Sequence, residues 1–293
     1  MTYFQKERKS LFLKIVKAAL IDYSNYLGSK GFIDFHDMIN HGSKMVQDQK
    51  FINPYSHIIV DEFQDIAFSR YHLLNALIKQ NEASTFVVGD DWQAIYKFAG
   101  SELVLFTDFE KYFGDTDTRK IVKTYRNSQE LIDEAGSFVM KNPNQIKKKL
   151  KSDKSTTQPI IILETKDQTL DINMRKIFSD IINSNKNDSI DVLFLYRNKK
   201  DLKVVDRISW LKRKDVKISI FEPLFRSITI TCKTIHSSKG LQANEAVILN
   251  VNGSEMSGFP NKRTDDPLLD YVKFNSDTFP FSEERRLFLC CTY

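Results

Sequence analysis

Two short apolar runs, each ending abruptly in paired acid, constrain the fold of this chain more than any other feature. The first reads His57-Ile58-Ile59-Val60-Asp61-Glu62 and the second Phe86-Val87-Val88-Gly89-Asp90-Asp91. Short β-branched runs of this kind are the pattern of buried parallel strands, which need crossover connections. Arg70–Lys79 carries helical character between them, so the stretch predicts a β–helix–β unit and a parallel sheet. Ligands of open α/β sheets bind outside the carboxyl ends of the strands. The chemistry is therefore expected at Asp61-Glu62 and Asp90-Asp91, where neighbouring carboxylates suit a metal ion bound to phosphates. The same pattern describes a helix N-cap with acids in its first turn. Taken alone, these residues leave both readings open.

Upstream, Leu11, Ile15, Ala18, Ala19 and Tyr23 recur at helical spacing over Met1–Leu27, with Gly28 and Gly31 expected to stop the helix. Asp34 is placed to cap a second helix running through Met38 and Met45, and Asn53-Pro54 turns the chain into the first strand. The lysine-rich, poorly apolar stretch Pro143–Lys154 reads as a surface loop or hinge. Beyond it, Ile160–Leu163, Val192–Leu195, Ile228–Thr231 and Ala246–Leu249 are strand candidates, and Leu170–Ile182 and Lys200–Leu211 are helical patterns. A chain of 293 residues is long enough for about two domains. The expected organisation is α/β throughout: 1–122, a connector over 123–154, and a second α/β unit over 155–293.

No run approaches the roughly 18–20 apolar residues of a membrane helix, so no membrane partner is expected. Cys232, Cys290 and Cys291 lack metal-ligand spacing, and an odd count gives no disulfide framework. A reduced, cytoplasmic protein is the expectation. The net charge of +5 permits a polyanionic partner without demanding one. No Gly-x-Ser-x-Gly elbow supports a serine hydrolase.

Four further groups stand near these strands in sequence. Gln93 follows the second run closely enough for its amide to sense a phosphate. Tyr96 and Phe98 alternate just beyond it and are suited either to stacking on bases or to filling a core. Thr124-Tyr125-Arg126-Asn127 offers a guanidinium that can grip a phosphate bidentately and a phenol that can stack on a purine, though such a pair also opens ordinary helices. Thr234-Ile235-His236-Ser237-Ser238-Lys239-Gly240 gathers hydroxyls, an imidazole and an ammonium in a Gly-ended loop able to meet phosphates.

Taken together and in order, these groups resemble a known family far more specifically than any of them alone. Asp61-Glu62-Phe63-Gln64-Asp65, Gly89–Tyr96, Thr124-Tyr125-Arg126, Thr234–Gly240 and Glu283-Glu284-Arg285-Arg286-Leu287 resemble motifs II to VI of the UvrD/Rep/PcrA group of superfamily 1 DNA helicases. Trp92 and the Pro143–Lys149 segment look most like helicase IV, and Gly31–Phe35 resembles the stretch before motif II. The resemblance implies two RecA-like, P-loop-NTPase-type domains with parallel sheets, the first incomplete at its N-terminus. It also implies ATP with Mg2+ as cofactors, and single-stranded DNA and duplex junctions as partners in 3′-to-5′ unwinding and DNA repair. Residue by residue, Asp61 would serve the metal, Glu62 the attacking water, and Gln93 and Arg126 the γ-phosphate. Tyr125 would meet the adenine, with Lys239, Gly240, Gln242 and Arg286 also assigned to the nucleotide. Tyr96, Phe98, Thr234 and His236 would contact DNA. Gln242 stands where the family has a ribose-binding acid. About a hundred residues separate Arg126 from Thr234, which implies that the family's large mobile insertion is small or missing.

Two family features are absent from these residues. No Gly-x-x-x-x-Gly-Lys-Ser/Thr occurs, and Gly28, Gly31 and Gly42 have no such spacing. After Phe288 the family pattern continues Tyr-Val-Ala-Leu-Thr-Arg, whereas this chain reads Leu289-Cys290-Cys291-Thr292-Tyr293. One inserted base after Phe288 would convert the first into the second, so a frameshift is expected there, with truncation at both ends. The expectation is a helicase fragment that hydrolyses ATP negligibly by itself. The rivals are a non-catalytic DNA- or partner-binding remnant, and one half of a split helicase whose upstream polypeptide carries the Walker A loop.

Overall fold

The computed structural model describes residues 3–166, 169–184, 189–208, 217–221, 227–253, 259–262, 268, 277 and 279–292. The chain is a mixed α/β protein whose sheets contain parallel pairs, and it divides into two compact units. Met1–Asp117 makes up most of the first; Thr118–Thr264 with Asp277–Tyr293 makes the second.

The first unit opens with α1 (Tyr3–Lys30), which runs through Gly28. A single helical glycine costs only about 1 kcal/mol relative to alanine, too little to stop a helix of this length. Termination comes at Gly31, whose φ of +64° lets Phe32 N–H reach back to the Leu27 carbonyl at 2.9 Å. The apolar side chains of α1 are in the open, with Leu11 and Ile15 both 61% exposed. Next, α2 (Phe35–Gln47) starts on a reciprocal capping box, in which Asp34 accepts from Asp37 N–H at 2.8 Å and Asp37 accepts from Asp34 N–H at 3.2 Å.

The predicted β–helix–β unit follows as β1 (His57–Val60), α3 (Phe68–Asn81) and β2 (Ser84–Val87). β1 and β2 pair in parallel, Ile59 opposite Phe86. One face carries Ile58, Val60 and Val87 onto a cluster of Phe63, Ile66, Leu74 and Leu105, with α4 (Val104–Thr107) and α5 (Phe109–Phe113) packed beside it. The other face leaves Ile59 and Phe86 exposed.

In the second unit, α6 (Gln129–Val139) is capped by Ser128 and follows Thr124-Tyr125-Arg126. The lysine-rich stretch carries no helix or strand of its own and is held by its backbone. Thr124 N–H donates to the Lys151 carbonyl at 2.9 Å, Lys151 N–H to Val122 at 2.7 Å and Gln129 N–H to Lys154 at 2.9 Å. Backbone groups, which the side-chain composition does not reveal, hold that segment against 122–129. Downstream come α7 (Leu170–Ser184), β3 (Ser189–Tyr196), α8 (Lys203–Asp206), β4 (Lys217–Phe221), β5 (Ser227–Thr234), α9 (Ile235–Ser238), β6 (Glu245–Ile248) and α10 (Ser282–Thr292). The sheet order is β4-β5-β3-β6, with β3 parallel to both β5 and β6 and β4 antiparallel to β5. Its core joins Ile190, Val192 and Phe194 to Ile228 and Ile230, roofed by Met174, Phe178 and Ile181 of α7.

Two expectations are corrected. Ile160–Leu163 is not a strand; Ile162 is 90% exposed, and β-branched composition supplies no neighbouring edge to pair with. β4, absent from the predicted strands, forms because β5 offers it an antiparallel edge. The end of the expected Lys200–Leu211 helix lies outside the described residues.

Candidate functional site

The carboxyl ends of β1 and β2 are tied together by one buried amide. After Val60 the chain places Asp61 and then Glu62, whose φ of +51° and ψ of +40° turn it into the left-handed region before a short 3-10 turn over Phe63–Asp65. That conformation is uncommon for a residue with a Cβ. It is held from both sides: Asp61 Oδ1 accepts from Glu62 N–H at 2.8 Å, and Phe63 N–H donates to the Val88 carbonyl at 2.9 Å. Phe63 is fully buried among Phe106, Phe109 and Phe113, which anchors the turn in the core.

Gln64, also fully buried, spans the two strand ends. Its Nε2 donates to Glu62 Oε2, and its Oε1 accepts from Asp90 N–H at 2.9 Å. Asp90 continues the chain of contacts: its Oδ1 accepts from Trp92 N–H at 3.0 Å, and its Oδ2 accepts from Gln93 Nε2 at 2.8 Å. A Cβ on Gly89 would lie 2.6 Å from Gln64 Oε1, so only glycine leaves room for this amide. Glu62 and Gln93 are thus joined through Gln64 and Asp90. The sequence pattern singled out Glu62 and Gln93 and missed Gln64 and Gly89. The one available signal was an amide following directly on the apolar Phe63.

Beyond Gln93, Tyr96 is half-buried and Phe98 is 73% exposed, their rings edge to face at 6.0 Å. The two aromatics therefore divide: Tyr96 braces, while Phe98 offers its ring to solvent. Asp61 is exposed, and among the described residues no three His, Cys, Asp or Glu side chains cluster as a metal cage. An open single carboxylate fits Mg2+, which keeps several waters and takes few protein ligands beside substrate phosphates.

In the second unit, Tyr125 is 72% exposed, and Lys123 Nζ lies 5.2 Å from its ring centre while pairing with Asp153 at 2.7 Å. Arg126 is exposed, and its backbone carbonyl accepts from Lys154 Nζ at 3.1 Å. Thr234 is the N-cap of α9: its hydroxyl accepts from Ser237 N–H at 3.2 Å and donates to Ser237 Oγ at 2.8 Å. Gly240 has a φ of +81°, which glycine adopts freely. Lys239 is half-buried and Gln242 exposed. Arg286 is 2% exposed, its guanidinium 3.0 Å from Asp277 Oδ2. Its neighbour Glu284 takes Arg197 Nε at 2.9 Å and Asn261 N–H at 2.8 Å, so much of the Glu283–Leu287 charge serves internal pairing.

His236 lies in α9, and burial, aided by the nearby Arg197 charge, lowers its pKa from 6.5 to about 4. It is therefore a neutral hydrogen-bonding ring at physiological pH. The unfolded chain takes up a proton near pH 6.5 that the folded ring refuses until about pH 4. Stability from this residue is accordingly full above pH 6.5 and falls as the pH drops toward 4. Urea unfolding midpoints at neutral pH and about pH 5 should differ less in His236→Asn than in the native sequence; an equal difference would remove His236 as the cause.

Residues 2–114 match the UvrD/REP helicase N-terminal domain family. DNA helicase IV of Escherichia coli is 32% identical over 288 residues, covering 96% of this chain and 39% of that protein. ATP-dependent DNA helicase Rep of Buchnera aphidicola is 28% identical over 193 residues, covering 63% of this chain and 30% of its own length. ATP-dependent DNA helicase UvrD1 of Mycobacterium bovis is 27% identical over 159 residues, covering 50% and 21%. The chain thus spans about two fifths or less of these relatives. No described helix is long and apolar enough to cross a membrane. With the acid-tipped strands and their linked amides within the matched span, residues 2–114 carry the UvrD/REP helicase N-terminal domain, and the chain as a whole is similar to UvrD/Rep-type DNA helicases.

Proposed function

We propose that this chain is a segment of an ATP-dependent 3′-to-5′ DNA helicase, built from two RecA-like domains and acting on single-stranded DNA. The observation that carries the reading is the Glu62–Gln64–Asp90–Gln93 connection at the carboxyl ends of two parallel strands, with Phe98 exposed six residues after Trp92. Parallel-sheet proteins bind nucleotides at that edge. Asp61 would hold a Mg2+ ion, which would supply neutralisation of the phosphate charge. Glu62 orients the attacking water and accepts its proton, and Gln93 reports on the γ-phosphate. In the second unit, Arg126 is assigned the γ-phosphate and Tyr125 the adenine ring, with Lys239, Gly240, Gln242 and Arg286 in supporting nucleotide roles. Tyr96 and Phe98 serve DNA bases, and Thr234 and His236 its backbone. A cytoplasmic setting and a role in DNA repair accord with this reading.

Fluorescence anisotropy with a labelled oligonucleotide tests the DNA half of the reading without requiring hydrolysis. Binding should weaken steeply with salt, as phosphate contacts require. Phe98→Ala should cost about 1–3 kcal/mol of affinity, the usual worth of a base stacked on an aromatic ring. Equal affinity in Phe98→Ala would take that ring out of the DNA path, and no binding at low salt would overturn the DNA reading.

A further inference from the structure

The buried amide between the two strand ends has no role in the scheme above, and its surroundings make it more than filler. Gln64 uses both ends of its carboxamide at once, donating to the Glu62 carboxylate and accepting from Asp90 N–H. An amide with no exposed surface cannot exchange these partners for water. Gly89 keeps the slot open, since any side chain there would collide with Gln64 Oε1 at 2.6 Å and with Phe106 at 3.0 Å. Asp90 then grips Gln93 through its other carboxylate oxygen. Glu62 itself sits on a left-handed backbone turn, so its side chain is directed by these partners and not by a regular helix or strand.

We propose that Gln64 is a positioning residue that couples Gln93 to Glu62, so that a displacement of Gln93 is passed through Asp90 to the Glu62 carboxylate. The coupling rests on the roles assigned to Glu62 and Gln93 for its use in hydrolysis, but its existence does not. A ligand that pulls Gln93 away from Asp90 takes one partner from that carboxylate, which then re-settles about the Trp92 N–H that still holds its Oδ1. Asp90 N–H then shifts against Gln64 Oε1, and the amide carries the shift to its Nε2 and the Glu62 oxygen it holds. Because the amide is planar and both ends are engaged, the two ends move as one. The device lies wholly within the first unit.

The test is read by NMR on the full chain, labelled with 13C at the glutamate side-chain carboxyl and without nucleotide. The Glu62 signal is assigned by its disappearance in Glu62→Gln. Gln93→Ala is expected to shift that signal in the native background, and the response is expected to vanish when Gln64→Leu is also present. Gly89→Ala reaches the same end by displacing the amide, with Phe106 giving way beside it, and serves if Gln64→Leu fails to fold. Ile78→Val, which loosens the same core without touching the amide, should preserve the response; this separates coupling from general softening. A Glu62 signal unmoved by Gln93→Ala, or moved equally with Gln64→Leu or Gly89→Ala present, overturns the proposal. Failure of the chain to bind Mg-ATP would count against the nucleotide reading and leave the coupling standing.

Discussion

Purified chain, given Mg-ATP and single-stranded DNA, is expected to release phosphate about 10³–10⁵ more slowly than a helicase carrying a transition-state arginine. The 293 residues contain no phosphate-cradling Gly-x-x-x-x-Gly-Lys-Ser/Thr, and Leu289-Cys290-Cys291-Thr292-Tyr293 stands where the family continues to that arginine. Under the proposed roles, Glu62 and Gln93 keep the partners that hold them, whereas these residues offer no lysine loop for the phosphates. A phosphate-release assay with and without DNA decides the matter. DNA-stimulated turnover by the chain alone would contradict the expectation. Turnover restored by adding a polypeptide that carries the missing loop would favour a split enzyme. No restoration, with DNA binding intact, would favour a binding remnant.

Arg286→Ala should cost the second unit about 3–5 kcal/mol of stability, the usual effect of removing one partner from a buried ion pair. Arg286 and Asp277 side chains are 3% and 10% exposed at an N–O distance of 3.0 Å. Asp277 also accepts from Asn142 Nδ2 at 2.8 Å and Phe279 N–H at 3.1 Å, so α10 is bound through one carboxylate to the turn after α6. Without the guanidinium, a buried carboxylate loses its charge partner while its desolvation remains. Equilibrium urea unfolding reads the loss. A near-native midpoint in Arg286→Ala would mean that the pair contributes little, and would return Arg286 to consideration as a nucleotide contact alone.

The distinction matters because the sequence grouped Arg286 with nucleotide-binding residues on position within a motif, and position does not say which way a side chain faces. The same limit appears elsewhere. β1, β2, β3, β5 and β6 were legible because short apolar or β-branched runs report a local backbone preference. Asp34 was legible as a cap because a capping box closes within four residues. Ile160–Leu163 carries as much apolar character as β6 yet has no edge to join, and the Pro143–Lys154 stretch looks solvated yet is pinned along 122–129 by its backbone.

Sequence alone determined where the acids fall relative to the strands, and hence the resemblance to the UvrD/Rep helicases. Only the tertiary structure decided that Gln64 turns inward to meet Asp90, that Gly89 must stay bare to admit it, and that Arg286 spends its charge on Asp277. The first set depends on hydrogen bonds and periodicities spanning a few neighbouring residues. The second depends on partners 26, 25 and 9 positions away, with no repeating pattern to mark them.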